Sequence, residues 1–154
     1  LRKDMFGVVL FSTVSACIER DIWERFKFNE EIVACEDQEF ACRLLKAGLK
    51  IAYRPSSKVY HSHNYDLIQT FMRYFDLGWG VSTISELSKK NPLDTLCKMT
   101  ELIKTTIAHC DASKSIDGIL QIMAKNVGFF SGTNAYRMPD FARRVFSYTL
   151  NRRM

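Results

Sequence analysis

Hydrophobic and polar positions follow two different periods along this 154-residue chain. The change of period divides it near residue 65, into 1–65 and 66–154. In the first part the signals are mixed. Phe6–Phe11 (FGVVLF) is a short apolar run suited to a buried strand. Glu19–Phe28 places Ile22, Trp23 and Phe26 on one helical face and charges on the other. The segment EDQEFACRLLKAG opens with acidic residues and closes with Lys46 and then Gly48, the charge order that a helix dipole favours, with glycine as the stop. Phe40, Leu44 and Leu45 form its apolar stripe. Leu49, Ile51 and Tyr53 then alternate with Lys50, Ala52 and Arg54, predicting a strand ended by Pro55, and KVYHSH predicts a second.

Beyond residue 65 the spacing turns helical. Asp66 is placed to cap a helix that starts at Leu67 and carries Phe71, Tyr74 and Phe75, and GWG at 78–80 breaks or kinks it. After Asn91-Pro92, a helix is predicted over Leu93–Ala108, with Leu96, Met99, Leu102, Ile103 and Ile107 as its stripe. Another is predicted over Ser115–Phe130, with Ile116, Ile119, Leu120, Met123 and Val127. The loop SGTNAYRMP leads into a basic amphipathic segment, Asp140–Arg153. No internal repeat is present.

Composition narrows the class. With 47% hydrophobic and 12% aromatic residues the chain is not disordered, and seven glycines and three prolines exclude a collagen-like or low-complexity protein. No apolar run reaches the ~18 residues of a membrane span. The first residues have a basic start and an apolar stretch, but Asp4, Ser12, Thr13 and Ser15 interrupt what would be a signal peptide. The chain begins with Leu rather than Met and reads as a piece of something longer. Five cysteines, at 17, 35, 42, 97 and 110, form no CxxC pair, which argues for reduced core cysteines over a disulfide scaffold or structural zinc. Charge is the informative quantity. Residues 1–120 hold 16 basic and 16 acidic side chains, whereas residues 121–154 hold Lys125, Arg137, Arg143, Arg144, Arg152 and Arg153 against Asp140 alone. The entire net charge of +5 therefore sits in the last 34 residues, a pattern that points to a local anionic partner.

Chemistry is densest at Glu36-Asp37 and at His61-Ser62-His63-Asn64. Adjacent carboxylates opening a helix either cap it and complement its dipole, or provide in Asp37 a general base for a hydroxyl. His61 and His63, two apart, would share a face of a strand; they are either a pair of metal-ligating imidazoles or two ordinary surface histidines. A helix of about 11 residues rises ~16 Å. A return strand of about six residues covers ~20 Å. The chain can thus come back to the level of Asp37 just before His61. The basic tail reads as a solvated face, or as an interfacial helix with Phe141, Val145, Phe146 and Leu150 toward a membrane and Arg143, Arg144, Arg152 and Arg153 toward anionic headgroups. Arginines interleaved with Phe129, Phe130, Tyr136 and Tyr148 raise nucleic acid as a third option, but no recognised binding module is present and no nucleic-acid partner is expected.

Taken together, Ser15-Ala16, Arg20 and Trp23-Glu24, then Glu36-Asp37, Arg43-Leu44-Leu45 with Ala47-Gly48, Pro55 before VYHSHNY, and the later GFFSGTNAYRMPDFARRVFSY resemble the second half of a family 2 glycosyltransferase of GT-A fold. The likeness is strongest to rhamnosyltransferase-like enzymes of bacterial surface polysaccharide synthesis. It implies an α/β fold, a partial GT-A half-domain over 1–65 followed by a mostly helical extension over 66–154. It also implies a cytoplasmic enzyme, peripheral on the inner face of the membrane, that moves a sugar, rhamnose among the options, from a nucleotide-sugar donor to a glycan or lipid-linked acceptor by inverting single displacement. On that resemblance Asp37 is the base, Glu36 shapes the acceptor pocket, and His61, with His63 second, completes the coordination of a divalent Mg or Mn ion. The family's Asp-x-Asp motif is missing from this sequence, as is a glycine-rich phosphate loop. Two readings follow: part of a longer enzyme, or a non-catalytic interaction or membrane-docking module derived from one. Strands left without partners, Phe6–Phe11 first, would further predict self-association into a homo-oligomer.

Overall fold

The helix on which the others pack begins with a cap. In the computed structural model, which describes residues 11–84 and 112–152 and, between them, residues 100, 101, 103–105 and 108, six helices can be followed. They are α1 (Arg20–Arg25), α2 (Glu36–Lys46), α3 (Leu67–Thr83), α4 (Ala112–Thr133), α5 (Asp140–Phe146) and α6 (Tyr148–Arg152). The carboxylate of Asp66 accepts from the backbone N–H of Gln69 at 2.8 Å, and the Gln69 side chain accepts in return from the Asp66 N–H at 3.4 Å. This capping box satisfies two donors that the first turn of α3 would otherwise leave open, an arrangement that contributes about 1 kcal/mol.

From there α3 runs unbroken through Gly78 and Gly80 to Thr83. The expected break at GWG does not form, because these glycines are packing surfaces. A methyl group built on Gly78 would overlap the carbonyl of Phe129 on α4. In the opposite sense, methyl groups on Gly128 and Gly132 of α4 would overlap the carbonyls of Phe71 and Phe75 on α3. Contacts ascend both helices together, 71 against 128 and 75 against 132, so the two run parallel and nearly backbone to backbone. Phe75 is wholly buried in this seam, and the ring of Phe146 covers it at 5.8 Å, with Phe71 at 5.6 Å. Choosing the glycine face for α3 turns the other face of α4 outward. Ile116, Leu120, Met123 and Val127, apolar positions of the predicted helix, are exposed.

A second glycine contact ties α3 to the rest. A methyl on Gly80 would overlap the carbonyl of Ala34 and press on Cys35 Sγ, so the chain entering α2 lies directly against α3. α2 keeps the predicted order of charges, Glu36, Asp37 and Glu39 first, Arg43 and Lys46 last. It ends in a Schellman motif, with Gly48 N–H donating to Leu45 and Leu49 N–H to Leu44, and Gly48 at φ +77°. The ring of Phe40, fully buried, packs with Phe28 at 4.8 Å and with Trp23 and Phe11 at 6.4 Å. Such a side chain contributes roughly 1.5–3 kcal/mol by its burial. Cys35 and Cys42 are buried thiols and Cys17 an exposed one; positions 97 and 110 lie outside the described residues.

The α/β expectation is overturned. Among the described residues the regular backbone is helical and no strand forms, so there is no GT-A half-domain here; the helical C-terminal part is as expected. Residues 49–54 and 58–63 pass without regular structure, and Ile51, Tyr53, Val59 and Tyr60 face solvent. Alternation alone does not make a strand. The ladder needs a partner, and two short strands with nothing to pack on are marginal in water. Phe6–Phe11 lies, apart from Phe11, outside the described residues, as does most of the predicted Leu93–Ala108 helix.

The C-terminal segment is also not one helix. It breaks at Ser147, which is buried and caps α6 through its hydroxyl, accepting from Leu150 N–H at 3.1 Å. Asp76, on α3 and wholly buried, accepts from both the N–H and the hydroxyl of Thr149 at 2.8 Å. This carboxylate pins the start of α6 to the middle of α3.

Chemical unfolding followed by circular dichroism tests these contacts. Gly132→Ala, which must push the helices apart, is expected to cost about 1–3 kcal/mol. Gly48→Ala meets open space and strains only the backbone, at about 1 kcal/mol. If Gly132→Ala were neutral, the backbone-to-backbone seam would be wrong. Asp76→Ala, which leaves two half-buried donors of Thr149 without their acceptor, is expected to lose about 1–3 kcal/mol and to speed proteolysis within residues 137–152; a wild-type cleavage pattern would contradict the clamp.

Candidate functional site

The acidic pair sits where the chain turns sharply into α2. Cys35, the residue before it, holds φ +68°, the single non-glycine residue in left-handed backbone among the described residues. That conformation costs about 1–2 kcal/mol for a residue with a Cβ. It is imposed by the contact of Ala34 and Cys35 with Gly80, and Cys35 Sγ points to the Leu77 carbonyl at 3.7 Å. Strain of this kind concentrates at working sites. Its effect here is geometric: it swings Glu36 and Asp37 into the first turn of α2, Glu36 exposed and Asp37 half-buried.

Asp37 lies under the segment that carries Phe11 to Ser15. Gln38 Nε2 donates to the Phe11 carbonyl at 3.1 Å, fixing that segment across the helix start. Burial pushes the Asp37 carboxyl above the usual carboxylate range, and the neighbouring charge of Glu36 adds to the rise. Backbone N–H groups of Gln38, Asp37 itself and Thr13 pull the other way, the first at 2.9 Å. A helix N-terminus ordinarily favours a carboxylate anion. Here desolvation outweighs that, and the result is a carboxylate of increased basicity held by backbone donors. Such a group can accept a proton from a hydroxyl brought against it.

The histidines stand elsewhere. His61 and His63, both exposed, meet edge to face with ring centres 4.4 Å apart, and His63 stacks on Tyr65 at 5.0 Å. With Asn64, Asp66, Tyr74 and Lys125 they line a cleft of about 630 Å³ at the start of α3, and neither Glu36 nor Asp37 lines it. Pairing of the histidines is thus in place, while a shared pocket with Asp37 is not formed. One link between the regions is visible, the hydroxyls of Ser15 and Ser57 at 3.0 Å. Two imidazoles do not make a metal site by themselves: among the described residues no three His, Cys, Asp or Glu side chains gather to hold an ion. Lys125 and Tyr74, which complete the cleft, were not foreseen. They belong to two helices whose pairing depends on glycines, a signal that local sequence reading treats as a break.

Of the tail, Phe146 rests one side of its ring on Phe71 and Phe75 while staying partly exposed, and Leu150 is half-buried, so of the four expected apolar residues Phe141 and Val145 are the most exposed. No helix among the described residues is long and apolar enough to cross a membrane.

No family model matches this chain, and no solved structure matches it. Two curated proteins do. The O-antigen chain rhamnosyltransferase WbaN of Salmonella anatum is 42% identical over 71 residues, covering 46% of this chain and 22% of that protein. The O-antigen chain rhamnosyltransferase RfbN of Salmonella typhimurium is 38% identical over 71 residues, covering 46% of this chain and 23% of its own length. The match thus spans under a quarter of either relative, and the chain is similar to rhamnosyltransferases over nearly half its length.

Proposed function

We propose that this chain is the acceptor-side part of a glycosyltransferase that adds rhamnose to a growing surface glycan, with Asp37 as its base. The observation that carries the reading is the state of Asp37: a carboxylate made more basic by burial, gripped by backbone N–H groups and set in place by a strained Cys35. The similarity to two O-antigen chain rhamnosyltransferases supports this reading of the substrate class. A nucleotide-activated sugar is the donor and a glycan, lipid-linked at the cytoplasmic face of a membrane, is the acceptor.

The step is a single displacement. The acceptor hydroxyl donates its proton to Asp37 as its oxygen forms a bond to the anomeric carbon. The bond from that carbon to the diphosphate oxygen breaks, and the electron pair leaves with the nucleotide, inverting the centre. Asp37 ends protonated and returns the proton to solvent. Glu36, exposed beside it, would help shape the acceptor pocket. A divalent ion would offset charge on the leaving diphosphate. This chain offers His61, with His63 beside it, as no more than part of its coordination, and the acceptor-side chemistry above does not depend on it.

Substitution in the full polypeptide encoded by the gene, assayed for rhamnose transfer, tests the assignment. Asp37→Asn is expected to lower kcat by about 10²–10⁴-fold with the fold intact. Activity near wild type would overturn the assignment and favour a non-catalytic module. The pH profile gives a second check. A base works only when deprotonated, so the acidic limb of kcat/KM is expected above the ordinary carboxylate range, in the direction burial moves Asp37. The sign for stability is the opposite. A carboxylate whose folded pKa is raised weakens the fold once pH exceeds its unfolded value. Asp37→Asn is therefore expected to be more stable than wild type at neutral pH and equal to it at pH 3.

A further inference from the structure

The whole +5 of this chain lies beyond residue 120, and the fold sorts those cations into two groups. Arg143 is internally committed: it pairs with Asp140 and its guanidinium lies 5.5 Å from the ring centre of Trp79. Lys125 lies 5.6 Å over Tyr74 in the cleft. Arg137 and Arg144 are exposed and meet no carboxylate among the described residues; Arg137 lies 5.2 Å over the ring of its neighbour Tyr136. Between them α5 holds out Phe141 at 71% exposure and Val145 at 60%, and Tyr136 is exposed beside Arg137. Exposed apolar and aromatic residues next to exposed arginines are an uncommon surface for water, and a common one for an interface.

The same patch cannot simply fold away. Phe146, at the end of α5, is anchored on Phe71 and Phe75, and Thr149, at the start of α6, is held by Asp76. α5 is thus fixed at its C-terminal end, with Phe141, Arg144 and Val145 directed outward. We infer that this face docks on an anionic lipid surface, Phe141 and Val145 entering the headgroup layer while Arg137 and Arg144 meet lipid phosphates. Charge decides the occupant. An apolar protein partner would be met without arginines flanking the apolar pair, and a polyanion such as nucleic acid would have no use for Phe141 and Val145. The inference stands on α5 and the turn before it, and is independent of the role of Asp37.

Vesicle co-sedimentation of the full polypeptide tests it, with phosphatidylcholine vesicles containing either no or 30 mol% phosphatidylglycerol. Wild type is expected to bind the anionic vesicles and to release them as salt is raised. The exposed-residue variant R137Q/R144Q is expected to lose about 25-fold in partitioning, about fivefold per cation. F141A/V145A keeps every charge and is expected to lose about tenfold or more. Both pairs sit on the surface, and unchanged circular dichroism would show that folding is intact. Equal binding to neutral and anionic vesicles would overturn the proposal. So would full binding by either variant. Binding to heparin at the same strength, with F141A/V145A unaffected in both assays, would assign the face to a soluble polyanion instead and overturn the lipid reading.

Discussion

Everything described here hangs on one kind of contact, a glycine Cα set against a backbone carbonyl of a neighbouring segment. α3 makes it twice over, through Gly78 with α4 and through Gly80 with Ala34, and α4 returns it through Gly128 and Gly132. Contacts of this sort replace side-chain interdigitation with close backbone approach, where dispersion and weak Cα–H···O attraction act over the shortest distances. They are also intolerant: any side chain larger than hydrogen separates the elements. α3 becomes the member against which the others are positioned. One face fixes α4, another fixes the entry to α2, and Asp76 in its middle fixes α6.

The acidic pair inherits its geometry from that arrangement. Because Gly80 admits the carbonyl of Ala34, the chain must turn at Cys35, and it turns through left-handed backbone. Glu36 and Asp37 then begin α2 with their carboxyls crowded and partly withdrawn from water. The increase in basicity of Asp37 is thus an indirect product of a helix contact more than 40 residues away in sequence. A catalytic reading of this carboxylate and a packing account of the fold meet at a single residue, Cys35, whose strain is sustained by tertiary contact.

How much of this was legible beforehand depends on the range of the interaction. Local signals read true: Asp66 caps α3 with Gln69, charges order α2, and Gly48 ends it with positive φ. Signals that need a distant partner did not. Alternation at Leu49, Ile51 and Tyr53 resembles a half-buried strand, yet nothing among the described residues pairs with it. GWG resembles a break, since glycine is a poor helix former in isolation, and here it is the contact surface. The apolar positions of α4 are the natural candidates for its inner face on hydrophobicity alone, yet the small residues Gly128 and Gly132 take the contact with α3. The carboxylate and the two histidines could be picked out by residue type, but the backbone strain beside Asp37 and the separation of the histidine cleft from it could not.

The glycine seam also limits how the molecule can move. Side-chain interfaces can adjust by fractions of an ångström as rotamers change, but Gly128 and Gly132 engage the carbonyls of Phe71 and Phe75 one helical turn apart. The next register in which a glycine again meets a carbonyl lies a full turn away, about 5.4 Å. Shifting there would tear Thr149 from Asp76. α3, α4 and α6 therefore behave as one stiff block. Any movement that uncovers Asp37 falls to the segment from Phe11 to Ser15 that lies over it, so the cover of this carboxylate and the frame that holds it are different parts of the chain.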